Sequence, residues 1–256
     1  MAASLGVPCA PTRLCRRNGN RGSLSLSIKP DGQDLFEGSL ALLWSAGVHG
    51  YVPHIEGAKA IDPDRPRYKR PGHSLANIKT ALDGVAAPPG FTGPPKLTGF
   101  DVFAGYLILD ALVANQDRHE QNWAVLRPQL QGEPDRLAPS YDHGTSLGHN
   151  LTDTERESRL RDPESLAAWV RKGVAHRFEH LGRPPSLVDH AAVAIHMCSP
   201  EAAQWWRGRL ADLDLSGLNA TLGEGVPGMS DLAATFTSKL LDLNLRRLQD
   251  AICIGS

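Results

Sequence analysis

Asn115-Gln116-Asp117-Arg118-His119-Glu120-Gln121-Asn122, followed downstream by Tyr141-Asp142-His143-Gly144, is the stretch whose reading decides the fold. Between the two lies Trp123-Ala124-Val125-Leu126-Arg127, an apolar run of strand length. A dense turn signal, Gln131-Gly132-Glu133-Pro134-Asp135, comes next, and then Arg136-Leu137-Ala138-Pro139-Ser140. A hairpin centred near Gly132 would return Asp142 to a point opposite Asn122. One carboxylate and one amide oxygen would converge there, a sparse hard-oxygen set that suits Mg²⁺ when phosphate and water complete its shell. Asp117 lies on the loop just before the hairpin, close enough to orient an incoming hydroxyl. Taken singly, an Asp-Arg-His triplet is ordinary loop polarity and an Asp-x-Gly is ordinary turn chemistry. Their order, their spacing and the hairpin between them make the combination informative.

The residues upstream fit. Segment 100–113, Phe-Asp-Val-Phe-Ala-Gly-Tyr-Leu-Ile-Leu-Asp-Ala-Leu-Val, is too continuously apolar for a surface helix. A buried helix feeding a polar loop is how a core fixes catalytic groups. The expected fold class is therefore α+β, predominantly α, with a short β hairpin at the site.

Segment 109–123 resembles the catalytic loop of the HipA-like serine/threonine kinases, and segment 138–148 resembles their metal-binding segment. That family is distantly similar to the phosphatidylinositol 3- and 4-kinases. Weaker echoes are Gly72-His73-Ser74-Leu75-Ala76-Asn77-Ile78, as a helix start, and residues 166–178, as a later helix. The resemblance implies a protein-kinase-like large lobe that uses ATP and Mg²⁺, and phosphoryl transfer to a protein Ser/Thr hydroxyl. Asp117 would be the catalytic base or hydroxyl-orienting group, and Asn122 and Asp142 the magnesium ligands. Arg118 and His119 follow the Asp instead of preceding it, which makes them loop-bracing residues. His143 stands where ordinary kinases carry Phe.

By the same resemblance, residues 1–33 would be the remnant of a small lobe with its hinge, and residues 34–256 the helical large lobe. Ser23-Leu24-Ser25-Leu26-Ser27-Ile28 alternates polar and apolar, as a half-buried strand does. Ser27, Ile28 and Lys29 would carry the adenine-facing hinge. Asn18-Gly19-Asn20-Arg21-Gly22 reads as a hairpin turn, not a phosphate cradle, and Lys29 sits too near the hinge to be the phosphate lysine. Three explanations stay open: a truncated reading frame, half of a split kinase completed by a separate small-lobe chain, or a catalytically inactive kinase-like binding module. A lipid kinase is a further alternative, against which stands the lack of a basic membrane-facing cluster. The resemblance also brings an antitoxin into view as a partner, since related kinases often belong to toxin–antitoxin pairs.

Bulk properties agree with a cytoplasmic globular protein. The chain has 256 residues and a net charge of -1, which gives no electrostatic case for nucleic-acid binding. No run is apolar and long enough to span a bilayer. Cys9, Cys15, Cys198 and Cys253 are scattered without metal-ribbon spacing and suit a reducing compartment. Region 47–95 is rich in Pro, Gly and basic residues, and its segment 62–71 reads as an exposed loop, a solvated connection in preference to a basic docking loop. Helices are expected at 75–82, 164–177, 187–198, 202–213 and 231–252, with Ser199 and Ser230 as caps. His176 and His180 would share a face if that stretch were helical, without a clear third metal ligand.

Overall fold

The computed structural model describes residues 1–54 and 60–254; residues 55–59 of the Pro- and Gly-rich region and residues 255–256 lie outside them. The chain starts with a single turn, α1 (Ala2–Leu5), closed by Gly6 in the left-handed conformation at φ 85. Leu5 and Val7 enter the main core. An antiparallel hairpin follows, β1 (Thr12–Arg17) and β2 (Asn20–Ser25). Asn18 and Gly19 both take positive φ, the two-residue turn that matches strand twist. All twelve strand residues are exposed, so the half-buried strand predicted over 23–28 is corrected: β2 ends at Ser25, and neither face of the hairpin is covered. Alternation encodes two faces, not the presence of something to pack on one of them.

Next come β3 (Gln33–Glu37) and α2 (Gly38–Trp44). Gly38 accepts no side chain, because an added Cβ would lie 2.1 Å from the Trp123 ring. Region 47–95 is mostly irregular, but segment 62–71 is tied down and is not a free loop. Asp62 is buried and bonds Arg65 at 2.8 Å, Arg65 reaches Glu179 at 3.0 Å, and β4 (Tyr68–Lys69) pairs with a later strand. Charge in this segment thus anchors as well as solvates it. α3 (Leu75–Ala81) is capped by Ser74.

At the centre is α4 (Gly99–Val113), and every one of its residues is buried. Thr98 and Asp101 form a reciprocal capping box at its start. Gly105 lets the Trp206 ring lie against the helix, and the Trp206 indole N–H donates to Asp101 O at 2.7 Å. The predicted hairpin is present: β5 (Ala124–Pro128) pairs with β6 (Arg136–Leu137) in the register Val125↔Leu137. With β3 these strands form a three-stranded sheet in the order β3-β5-β6.

The remainder is mainly helical: α5 (Asp153–Arg161), α6 (Pro163–Val170), β7 (His180–Leu181, paired with β4), α7 (Leu187–Met197), α8 (Pro200–Ala211), α9 (Ser216–Glu224) and α10 (Asp231–Gln249), which runs into a π-helical turn at Asp250–Ile254. Helices α7, α8 and α10 pack around α4. The helix predicted over 164–177 stops at Val170. Residues 171–179 leave it through Gly173 and run against the 115–122 loop, with Val174 bridging to Ser186 and its N–H donating to the Gln116 side chain. His176 therefore does not share a helical face with His180. No described helix is long and apolar enough to cross a membrane.

Candidate active site

The loop after α4 is built around a buried aspartate. Ala114 takes φ 56 and ends the helix, turning Asn115 back so that its amide donates to Asp110 at 2.8 Å. The Asn115 oxygen accepts from Asp117 N at 3.2 Å and from the Thr145 hydroxyl at 2.8 Å. One residue thus ties together the helix end, the loop and the segment after Asp142.

Arg118 completes the brace. Its side chain and that of Asp110 are each 2% exposed, and two guanidinium nitrogens meet the carboxylate at 2.7 Å. The same guanidinium donates to Asn122 O at 2.6 Å and to the Ser140 hydroxyl at 3.0 Å. The two ends of the β5–β6 hairpin are therefore clamped by one cation. Burial works against the Arg118 charge, and the Asp110 carboxylate outweighs it, holding the guanidinium above its ordinary range. His143 adds to this clamp: its Nε2 is 2.9 Å from the Ser140 hydroxyl and 3.3 Å from an Arg118 nitrogen. Burial, and then Arg118, lower the His143 pKa, so the neutral ring accepts both bonds.

Asn122 is buried, and its amide nitrogen donates to Asp117 O at 2.8 Å. That bond orients the amide and leaves Oδ1 as the side able to meet a cation. Asp142 is exposed and takes φ 55, a left-handed conformation that a short polar side chain tolerates. Asp117 is partly exposed, and its Oδ1 accepts from Arg177 Nε and Nη2, both at 2.6 Å. The His119 pKa is lowered by burial first and also by Arg177, against the opposing fields of Asp117, Glu120 and Asp142. The donor set of Asn122 and Asp142, hard oxygens with a single negative charge, fits Mg²⁺ held mainly through phosphate and water. Among the described residues no cluster of three or more His, Cys, Asp or Glu side chains gathers as a metal cage.

Of the residues expected to form a hinge, Ser27 and Lys29 are exposed, and Lys29 N donates to the Ser27 hydroxyl at 3.2 Å. Ile28 is half-buried against a small apolar cluster of Ala124, Leu126, Ala138, Leu35 and Tyr141. It thus packs on the sheet through a cluster that includes Ala124, two residues after Asn122.

Several supporting residues escaped the sequence. His73 is buried, with Nδ1 2.7 Å from Arg177 O, while its Nε2 accepts from the Trp123 indole at 3.3 Å. Burial lowers its pKa, and the neutral Nδ1–H tautomer satisfies both contacts. Phe178 stacks on the His73 ring at 4.6 Å. Glu120 is buried; its backbone oxygen receives Ser39 N at 3.0 Å, and Trp123 O receives Gly38 N at 2.7 Å, so the start of α2 docks on the loop that ends at Trp123. Asp110 was detectable, since a charge inside an otherwise apolar helix demands a partner. Arg177 gave no signal, because its segment was predicted as helix.

No family model matches the chain, and no curated protein matches it. Among solved structures it is similar to the Helicobacter pylori proinflammatory kinase CtkA, with a TM-score of 0.71 and 18% identity over 100% of this chain and 81% of that one. A second match is HipA of Shewanella oneidensis MR-1, from a complex of the toxin–antitoxin proteins HipA and HipB with their operator DNA. Its TM-score is 0.38 and its identity 14%, over 97% of this chain and 55% of that one. At 18% identity the likeness to CtkA establishes fold: the chain has the kinase-like fold that its resemblance to the HipA-like kinases implied.

Proposed function

We propose that the chain is a phosphotransferase that moves the γ-phosphoryl group of ATP to a serine or threonine hydroxyl of a protein. Asp117 orients the acceptor hydroxyl, Asn122 and Asp142 hold Mg²⁺, and residues 27–29 face the adenine from the sheet side. Residues 1–33 then serve as the small-lobe remnant and 34–256 as the large lobe. Bound Mg²⁺ would neutralise charge developing on the phosphate oxygens. The observation that carries this reading is the bond from the Asn122 amide to Asp117 O, which makes the acceptor-side loop and the metal-side residue one rigid unit. The kinase-like fold supports it.

The test is transfer of labelled γ-phosphate to a mixed Ser/Thr substrate such as casein, comparing the native chain with Asp117→Ala. Positioning an acceptor proton contributes on the order of a hundredfold or more, so Asp117→Ala should lose at least that much rate. Equal transfer by both would remove Asp117 from the chemistry. One observation favours a second reading, a nucleotide-binding module without transfer: Arg177 already occupies the Asp117 carboxylate. Mg-ATP binding with no transfer, even from Arg177→Ala, would select it. An antitoxin belongs to the proposal as a partner and rests on the catalytic-loop resemblance alone.

A further inference from the structure

Beside Asp117 lies a short ribbon whose charge the phosphotransfer reading does not use. Strands β4 and β7 pair in the register Tyr68↔Leu181 and Lys69↔His180. Arg70 and Arg177 emerge from the two sides of this ribbon and are fastened to one residue: His73 N donates to Arg70 O at 3.1 Å, and the His73 ring meets Arg177 O at 2.7 Å. The Arg70 side chain lies within electrostatic reach of Arg177 and Asp117. Arg177 contacts that carboxylate directly.

Arg70 is the anomaly. Its backbone is held at φ 53, outside the comfortable range for a long side chain, and its Nη1 is buried with no hydrogen-bond partner among the described residues. A guanidinium presents five donors and is costly to bury with one of them unmet. Burial, and then Arg177, lower the Arg70 pKa, while Glu120 and Asp117 oppose them. Neither carboxylate forms an ion pair with it. The ribbon carries further exposed cations in Arg67, Lys69 and Arg183, which form no ion pair among the described residues. Its own acid, Glu179, is already spent on Arg65 and Gly72 N. In a chain whose net charge is -1, these cations are gathered on and beside one short ribbon.

We propose that the β4–β7 ribbon is the docking surface for an acidic acceptor segment, with Arg70 and Arg177 receiving a carboxylate next to the hydroxyl that Asp117 orients. The inference rests on the phosphotransfer reading for the word acceptor; the binding surface itself is independent of it. A peptide carboxylate would meet Arg70 on the part of its half-buried side chain that solvent reaches, and Arg177 would bridge that carboxylate and Asp117. Bidentate arginine recognition gives the site its geometry, and the ribbon cations steer the segment in at a salt-dependent rate.

Binding of fluorescein-labelled peptides to the full chain, followed by anisotropy, tests this without requiring turnover. One peptide carries serine flanked by two aspartates on each side, the other carries asparagines in their place. The acidic peptide should bind about tenfold more tightly at low salt, and that advantage should shrink as salt rises. Arg70→Ala and, on the exposed strand, Lys69→Glu should each erase several-fold of the advantage. The surface variant covers the case in which the Arg70 change unfolds the chain. Equal binding of the two peptides, or an undiminished preference in the folded variants, overturns the proposal. A parallel titration with Mg-ATP separates the two ideas: acidic-peptide preference without nucleotide binding keeps the surface and removes the kinase reading, whereas nucleotide binding without peptide preference does the reverse.

Discussion

Two aspartate–arginine pairs sit on the same loop and differ in nearly everything but chemistry. Asp110–Arg118 joins the helix end to the hairpin, with both side chains 2% exposed. Asp117–Arg177 joins the loop's outer rim to the 171–179 segment, with side chains 25% and 30% exposed. The inner guanidinium also meets Asn122 O and the Ser140 hydroxyl, so its removal leaves a buried carboxylate and two further acceptors unmet. The outer pair is partly open to solvent, and its guanidinium has no side-chain partner besides Asp117 among the described hydrogen bonds and ion pairs. The floor of the site is built to stay fixed, and its rim to change partners.

The largest effect should come from the floor. Arg118→Ala strands the Asp110 charge in the core, and denaturant unfolding should show a loss of about 3–5 kcal/mol. A loss below about 1 kcal/mol would mean that the inner pair does not brace the loop.

The next effect concerns the buried histidines under the same floor. His190 packs against Phe178 at 4.2 Å, and burial pushes its pKa down to about 4 from an ordinary 6.5. Because the folded value is the lower one, the unfolded chain takes up the proton first as pH falls. Stability is therefore full above the unfolded pKa and declines between 6.5 and about 4. From neutral pH to about pH 5, His190 should account for a loss of about 2 kcal/mol. His190→Phe should retain stability over that interval relative to the native chain. Parallel pH profiles for the two proteins would contradict the assignment.

The smallest effect belongs to the rim. Arg177→Ala should change unfolding stability by less than about 1 kcal/mol, since solvent screens a pair this exposed. A loss as large as that of Arg118→Ala would erase the distinction between floor and rim.

The same contrast explains what was legible in the sequence. The floor is written locally: an unbroken apolar helix, a polar loop, an apolar strand and a Gly-Pro turn predicted α4 and the β5–β6 hairpin nearly to the residue. Ser199 and Ser230 announced α8 and α10 through their caps. Helix α5 went unseen because none of its residues is buried, so no apolar face marks it, although Thr152 and Glu155 do form a capping box. The rim was illegible for another reason. Arg177 and Arg70 approach Asp117 only because segment 171–179 leaves its helix at Val170 and the β4–β7 ribbon forms, two non-local events with weak local signals. The N-terminal hairpin marks the opposite failure: its turn and its alternation were plain, but Leu14 and Leu24 stay 63% and 57% exposed.

Titration calorimetry of Mg-ATP against the native chain and Asp142→Ala tests the central claim most directly. Asp142 is exposed, so its replacement costs only about 1 kcal/mol for alanine at φ 55 and should leave the fold intact. The account predicts magnesium-dependent nucleotide binding by the native chain that Asp142→Ala abolishes. Binding that is unchanged by Asp142→Ala, or no binding by well-folded native protein, would contradict it.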